Sequence, residues 1–161
     1  MTNNRINVIF GENDLTVEDV IALSERRAQP VLSGDRDFRA RIQKGADFLD
    51  QQLRDKGHIY GVTTGYGDSV SRRVPPELVA ELPLHLSRFH GCGLGDILAP
   101  EQARAVLTVR LASLCTGYSG VSVDLLNQLT SLLAHDITPL IPEEGSVGAS
   151  GDLTPLSYVA A

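Results

Sequence analysis

Gly148-Ala149-Ser150-Gly151 sets a hydroxyl among the smallest residues of the chain, and a carboxylate, Asp152, follows at once. Small and permissive residues let a backbone turn so tightly that the amide nitrogen of Gly151 can approach the carbonyl carbon of Ala149. If that nitrogen attacks the carbonyl, one water leaves from the carbonyl and a second from the Ser150 side chain. The product is a five-membered imidazolone with an exocyclic methylidene, a strong electrophile made by the chain from itself. The same residues also suit an ordinary turn before a helix, with Asp152 as N-cap and Pro155 in the first turn. Spacing alone does not choose between the two.

Two upstream stretches carry further chemistry. His58 to Ser69 breaks the helical period with three glycines in seven residues, Gly61, Gly65 and Gly67. It reads as an ordered loop presenting exposed side chains, where reactive groups tend to sit. Tyr60 in this loop, taken alone, reads as a ring packed in the core with its hydroxyl donating one hydrogen bond. A phenol with a pKa of about 10 acts as a base at neutral pH only where dipoles or cations favour the phenolate, which calls for an electropositive pocket. The second stretch, Leu84 to His90, ends at Gly91-Cys92-Gly93-Leu94-Gly95 with the ring pair Phe89-His90, and an imidazole both donates and accepts.

Other chemistries fail on the residues. A phosphate-binding loop needs Lys and then Ser or Thr after its second glycine, whereas Gly151 precedes Asp152, whose charge repels phosphate. A hydrolase elbow needs Gly-x-Ser-x-Gly after a strand, and no strand signal precedes Ser150. His85, His90 and Cys92 lack the i,i+4 histidine pair of a zinc helix. His85 and His90 face different sides, so no metal site is expected.

The elements that must position these groups are mostly helical. Arg5 to Phe10 alternates and stops at Gly11, predicting a short strand. Thr16 as N-cap, with Asp19 three residues on and a Leu15 to Val20 staple, opens a helix to about Gln29. Asp35 caps a second helix with Phe38, Ile42, Ala46, Leu49 and Leu53 on one face, closed by Gly57. Pro75-Pro76-Glu77 starts a helical stretch, and Pro83 kinks it or begins the next helix. Pro100 opens a helix carrying Ala103, Val106, Leu107, Arg110, Leu111 and Leu114 as far as Gly117. Ser122 caps another, with Leu125, Leu126, Leu129, Leu132 and Leu133 as its buried face, ending near His135. Leu153 to Ala161 begins an apolar helix that meets the end of the sequence without a polar cap or glycine, as in a piece of something longer.

With 161 residues, 42% hydrophobic, the chain has enough apolar material for one core. Its net charge of −6, with both signs scattered, gives no basic stripe for nucleic acid or an anionic membrane. No apolar run approaches the length of a membrane span and no signal-type N-terminus is present. Cys92 and Cys115 show no metal-type pairing and suit reduced thiols. A cytoplasmic protein acting on a small molecule is expected.

Gly145 to Leu156, GSVGASGDLTPL, resembles the signature of the histidine, phenylalanine and tyrosine ammonia-lyases and their aminomutase relatives. The loop core YGVTTGYG, Tyr60 to Gly67, resembles a second signature of the same family. The resemblance implies a mainly α chain with a short N-terminal strand, the N-terminal helical portion of the histidase-like helical bundle. Residues 1–161 would then be the N-terminal part of one lyase domain, ending at the ring-forming segment of a longer chain. It implies that Ala149, Ser150 and Gly151 become 4-methylideneimidazol-5-one (MIO) with help from Asp152, with no bound cofactor or metal. It makes Tyr60 the base that takes a substrate β-proton, and Gly67, Phe89 and His90 substrate contacts. The implied reaction is non-oxidative elimination of ammonia from an aromatic L-amino acid, giving a trans-unsaturated acid, in a homotetramer whose remaining site residues come later in the chain. A fragment ending here would be inactive. The ring-contacting pair in the family is Ser-His in histidases, Phe-Leu in many phenylalanine lyases and His-Leu in tyrosine lyases. Phe89-His90 departs from all three and is closest to histidases and some tyrosine aminomutases. A 2,3-aminomutase and a non-catalytic helical module are the alternatives.

Overall fold

The computed structural model describes residues 6–55 and 57–161, which divide into two compact units. Among them no helix is long and apolar enough to cross a membrane.

The first unit comprises residues up to Asp47 and Leu98–Leu140. Strand β1 is Ile6–Phe10, as expected, while Arg5 lies outside the described residues. Thr16 then caps helix α1, Val17–Ser24, through a reciprocal box: its hydroxyl accepts the Asp19 N–H at 3.1 Å and the Asp19 carboxylate accepts the Thr16 N–H at 3.0 Å. The expected extension to Gln29 does not occur. Arg26 turns left-handed, φ 61°, and the Arg26 and Arg27 N–H groups donate back to Leu23 and Ala22. That is a Schellman ending with arginine where glycine is usual. The chain is thereby released into a second strand, β2, Ala28–Leu32, which pairs parallel with β1 from Ile6↔Ala28 to Phe10↔Leu32. Pro30 fits because each strand of a two-stranded sheet has a free edge.

Helix α2, Arg36–Arg54, starts where the Asp35 carboxylate accepts the Phe38 N–H at 2.7 Å. Helix α4, Pro100–Cys115, has proline in its first turn, and α5, Val123–Ala134, is capped by the Ser122 hydroxyl on Leu125 N–H. Leu107, Leu111, Leu126 and Leu133, with Phe38, Ile42, Leu23, Val8 and Phe10, are the buried side chains of this unit's core. Each such side chain contributes about 1.5–3 kcal/mol of burial. Leu125, expected on the buried face of α5, is exposed, leaving Leu126, Leu129 and Leu133 as the stripe.

At the centre of this unit lies Arg104, 2% exposed. Its guanidinium donates to Leu23 O at 2.9 and 3.2 Å and to Leu133 O at 3.0 Å, and pairs with the Asp136 carboxylate at 2.9 Å. Those carbonyls close α1 and α5, whose negative ends a cation stabilises.

The second unit comprises Phe48–Ile97 and Ile141–Ala161. Pro76–Leu78 forms one short 3-10 turn and Gly67–Ser71 another. Pro83 sits in the first turn of α3, Leu82–His90, so it begins a helix. Two strands are absent from the sequence reading: β3, Leu94–Ile97, pairs antiparallel with β4, Pro142–Glu144, through Leu94↔Glu144 and Ile97↔Pro142. Helix α6, Leu153–Ala160, packs against α3.

Candidate active site

All the candidate residues fall in the second unit. The loop carrying Tyr60 is held by its own side chains. Thr63 Oγ1 accepts the Ile59 N–H at 2.9 Å and donates to Gly57 O at 2.9 Å. Thr64, buried, accepts the Gly61 N–H at 3.2 Å. The returning segment adds Gly65 N–H to Arg72 O and Val74 N–H to Thr63 O, both at 3.0 Å. Arg73 Nε donates to His58 Nε2 at 2.8 Å.

Within this frame two tyrosines bond across the loop in opposite senses. The Tyr66 hydroxyl donates to Gly61 O at 2.9 Å, and the Tyr60 hydroxyl accepts the Gly67 N–H at 3.0 Å. Their rings meet edge to face with centroids 6.0 Å apart. Gly61 is left-handed, φ 71°, and a Cβ there would stand 2.5 Å from the Tyr66 ring, so only glycine fits. Tyr60 is 62% exposed and is therefore not a packed core ring. Because its oxygen accepts from Gly67, its own hydrogen is left to point elsewhere. Burial, and then the neighbouring Tyr60, push the Tyr66 phenol above its usual value, which keeps Tyr66 a donor.

The downstream loop closes on itself. Thr154 N–H donates to Ser146 O at 3.0 Å and Leu153 N–H to Val147 O at 3.2 Å, so the first-turn donors of α6 form the neck of a loop whose tip is Gly148–Asp152. Gly148 and Gly151 are left-handed, φ 63° and 85°. Asp152 occupies the N-cap position, but its carboxylate does not cap the helix backbone. It accepts the Ser150 hydroxyl at 2.6 Å, a short charge-assisted bond.

Phe89 and His90 end α3 with rings 5.4 Å apart at 66°, and Phe89 is 79% exposed. An open cavity of about 570 Å³ runs along this helix, lined by Tyr66, Leu82, His85, Leu86, Arg88 and Phe89. The chain leaving His90 is tied to the other loop twice. Gly93 N–H donates to the Tyr158 hydroxyl of α6 at 3.0 Å, and Leu94 pairs with Glu144, the residue before Gly145. Three local groups result: Tyr60 with Gly67, Phe89 with His90, and Ser150 with Asp152. The β3–β4 ladder and the α3–α6 contact link the last two.

A family model described as aromatic amino acid lyase matches residues 15–161. The chain belongs to the aromatic amino acid lyase family. It is 38% identical over 146 residues to human histidine ammonia-lyase, covering 91% of this chain and 22% of that protein. It is 41% identical over 146 residues to the MIO-dependent tyrosine 2,3-aminomutase of Streptomyces globisporus, covering 91% of this chain and 27% of that one. The crystal structure of tyrosine aminomutase from the same organism matches with a TM-score of 0.87 and 37% identity, over 96% of this chain and 28% of that chain. The mainly helical lyase fold is thereby established, and this chain spans about a quarter of the length of the curated relatives it matches.

Sequence reasoning did not find the lyase loop's supports, Thr63, Thr64 and Tyr66, nor the Ser146–Thr154 neck. Hydroxyls that bond backbone within one loop leave no periodic pattern. The available signal is a run of Ser, Thr and Tyr between left-handed glycines.

Proposed function

We propose that the protein to which this chain belongs eliminates ammonia non-oxidatively from an aromatic L-amino acid, using an MIO electrophile formed from Ala149, Ser150 and Gly151. The observation that carries this reading is the 2.6 Å bond from Ser150 Oγ to Asp152 at the tip of a loop bounded by left-handed Gly148 and Gly151. Ring closure needs three things of this segment: a sharp turn, free space at Gly151, and proton transfer at the Ser150 hydroxyl. Apart from Gly151 and its two chain neighbours, no atom lies within 4 Å of the place a Gly151 Cβ would take, and Asp152 sits on the hydroxyl that must leave.

The atoms balance without an oxidant. The Gly151 amide proton passes to the Ala149 carbonyl oxygen as the N–C bond forms. That hydroxyl leaves with the Ser150 amide hydrogen as the first water. The Ser150 hydroxyl leaves with its Cα hydrogen as the second. Once formed, MIO supplies the electrophile that draws electrons from the substrate amine.

The remaining roles belong to the chain. Tyr60 takes the β-proton, its oxygen held by the Gly67 amide, a donor that stabilises negative charge on the oxygen it faces. The β C–H is weakly acidic, so positioning and electrostatics supply much of the barrier reduction. Phe89 and His90 contact the substrate ring, and Gly67 lies where the loop meets the substrate. The complete site requires residues outside this segment and neighbouring subunits of a homotetramer, so the segment alone is inactive. Action in the cytoplasm, with no metal, nucleic acid or membrane as partner, belongs to the same proposal.

A tyrosine 2,3-aminomutase is the second reading, favoured by the 41% identity to the Streptomyces globisporus enzyme. The test incubates the full-length protein with histidine, tyrosine and phenylalanine. Accumulation of an ultraviolet-absorbing unsaturated acid supports the lyase, a β-amino acid supports the aminomutase, and neither product from any of the three rejects both.

A further inference from the structure

We propose that Gly145 and Thr154 form a clasp that sets the geometry for ring closure, making Thr154 a positioning residue for maturation of the site. This deepens the function proposed above and rests on it. Thr154 is 2% exposed, and its backbone N–H is one of the two bonds that close the loop neck. Directly across the neck, a Cβ on Gly145 would stand 2.6 Å from Thr154 Cγ2, 3.0 Å from its Cβ and 3.1 Å from its Oγ1. Contacts under 3.0 Å do not occur between such atoms, so the glycine backbone lies flush against a buried, β-branched side chain whose χ1 freedom is restricted.

The clasp acts on chemistry it does not touch. From Gly145 to Thr154 the chain leaves and returns through one closed neck, and all the reacting atoms, Ala149 C, Ser150 and Gly151 N, lie on the tip. The ends of the loop are fixed by Ser146 O to Thr154 N–H and Val147 O to Leu153 N–H. A shorter span at the base forces a tighter turn at the tip, which is what brings the Gly151 nitrogen onto the Ala149 carbonyl. Widening the neck relaxes that turn. The two hydrogen bonds hold the neck closed, and the close approach of Gly145 to Thr154 is what leaves no room for a side chain at its base.

The test measures intact mass of full-length wild type, Gly145→Ala, Thr154→Ala and the double variant at intervals after synthesis, beside melting temperature. Wild type is expected to lose the mass of two waters. Gly145→Ala, which pushes the neck open, is expected to lose them roughly tenfold more slowly. The double variant, with Cγ2 and Oγ1 gone, is expected to recover most of the rate. A folded Gly145→Ala that matures at the wild-type rate overturns the clasp, as does a double variant no faster than Gly145→Ala. Should Gly145→Ala not fold, Thr154→Ser decides: removing Cγ2 loosens the clasp, so slower water loss at unchanged melting temperature supports it and an unchanged rate refutes it. An unmodified wild-type mass defeats the ring-based function itself and the clasp with it.

Discussion

Arg26 and Asp136 are the two described non-glycine residues with left-handed backbone, φ 61° and 58°, and their side chains are joined at 3.0 Å. Each sits just past a helix end. Asp136 N–H and Ile137 N–H donate back to Leu133 and Leu132, as Arg26 and Arg27 do to Leu23 and Ala22. The pairing holds two residues in a conformation usually left to glycine. Asp136→Ala and Asp136→Gly both remove the carboxylate, but only alanine keeps the backbone strain. The alanine variant is therefore expected to be less stable than the glycine variant by about 1 kcal/mol. Urea unfolding of the two checks this, and equal midpoints would show that φ strain is not what the ion pair offsets.

Asp152→Asn keeps the size of the side chain and removes the base facing Ser150 Oγ. Its effect should fall on ring formation: the intact mass retains one or both waters while the unfolding free energy stays within about 1 kcal/mol of wild type, since the bond is exposed. Ser150→Ala retains its full mass and is inactive.

Tyr60→Phe deletes a hydroxyl that makes one exposed bond, to Gly67 N–H. Folding should change by no more than about 1 kcal/mol. Turnover should fall by roughly 10²–10⁴ because the proton acceptor is gone. Steady-state kinetics on the mature, full-length variant distinguishes this from Tyr66→Phe, which removes the bond to Gly61 O but leaves the acceptor in place.

Burial pushes the Cys115 thiol from 9.0 up to about 11, against a smaller opposing pull from Arg41. The folded chain thus holds this proton where the unfolded chain has released it. Stability is expected to be unaffected below about pH 9 and to fall as pH rises toward 11. The raised Tyr66 phenol acts in the same direction higher up. Urea midpoints between pH 8 and 11 should decline less in Cys115→Ala than in wild type. At pH 8 a thiol reagent should label exposed Cys92 and spare Cys115.

Helix starts were legible because their chemistry is local. Thr16, Asp35 and Ser122 each place a side-chain oxygen three residues before the N–H it accepts, and proline marks α3 and α4. The end of α1 was not, because the left-handed position is filled by an arginine whose partner lies 110 residues away. Strands β3 and β4 escaped notice because they are short and largely exposed, with no alternation to read. Among the candidate site residues, the Tyr60 and Ser150 loops stood out as glycine punctuation. Asp152 shows the limit of such reading: the same residue suits a cap or a proton relay, and only the direction of its carboxylate, toward Ser150, distinguishes them.

Arg104 reaches Leu23 across 81 positions of sequence and Leu133 across 29. No stretch of nascent chain can satisfy this guanidinium before α1, α4 and α5 have all docked, and covering it earlier would take a cation out of water without its acceptors. The first unit should accordingly resist partial assembly: an intermediate lacking any one of the three helices leaves Arg104 exposed or unpaired. Substituting Arg104 with methionine is expected to speed unfolding more than it slows folding, because a knot tied last is absent from the transition state.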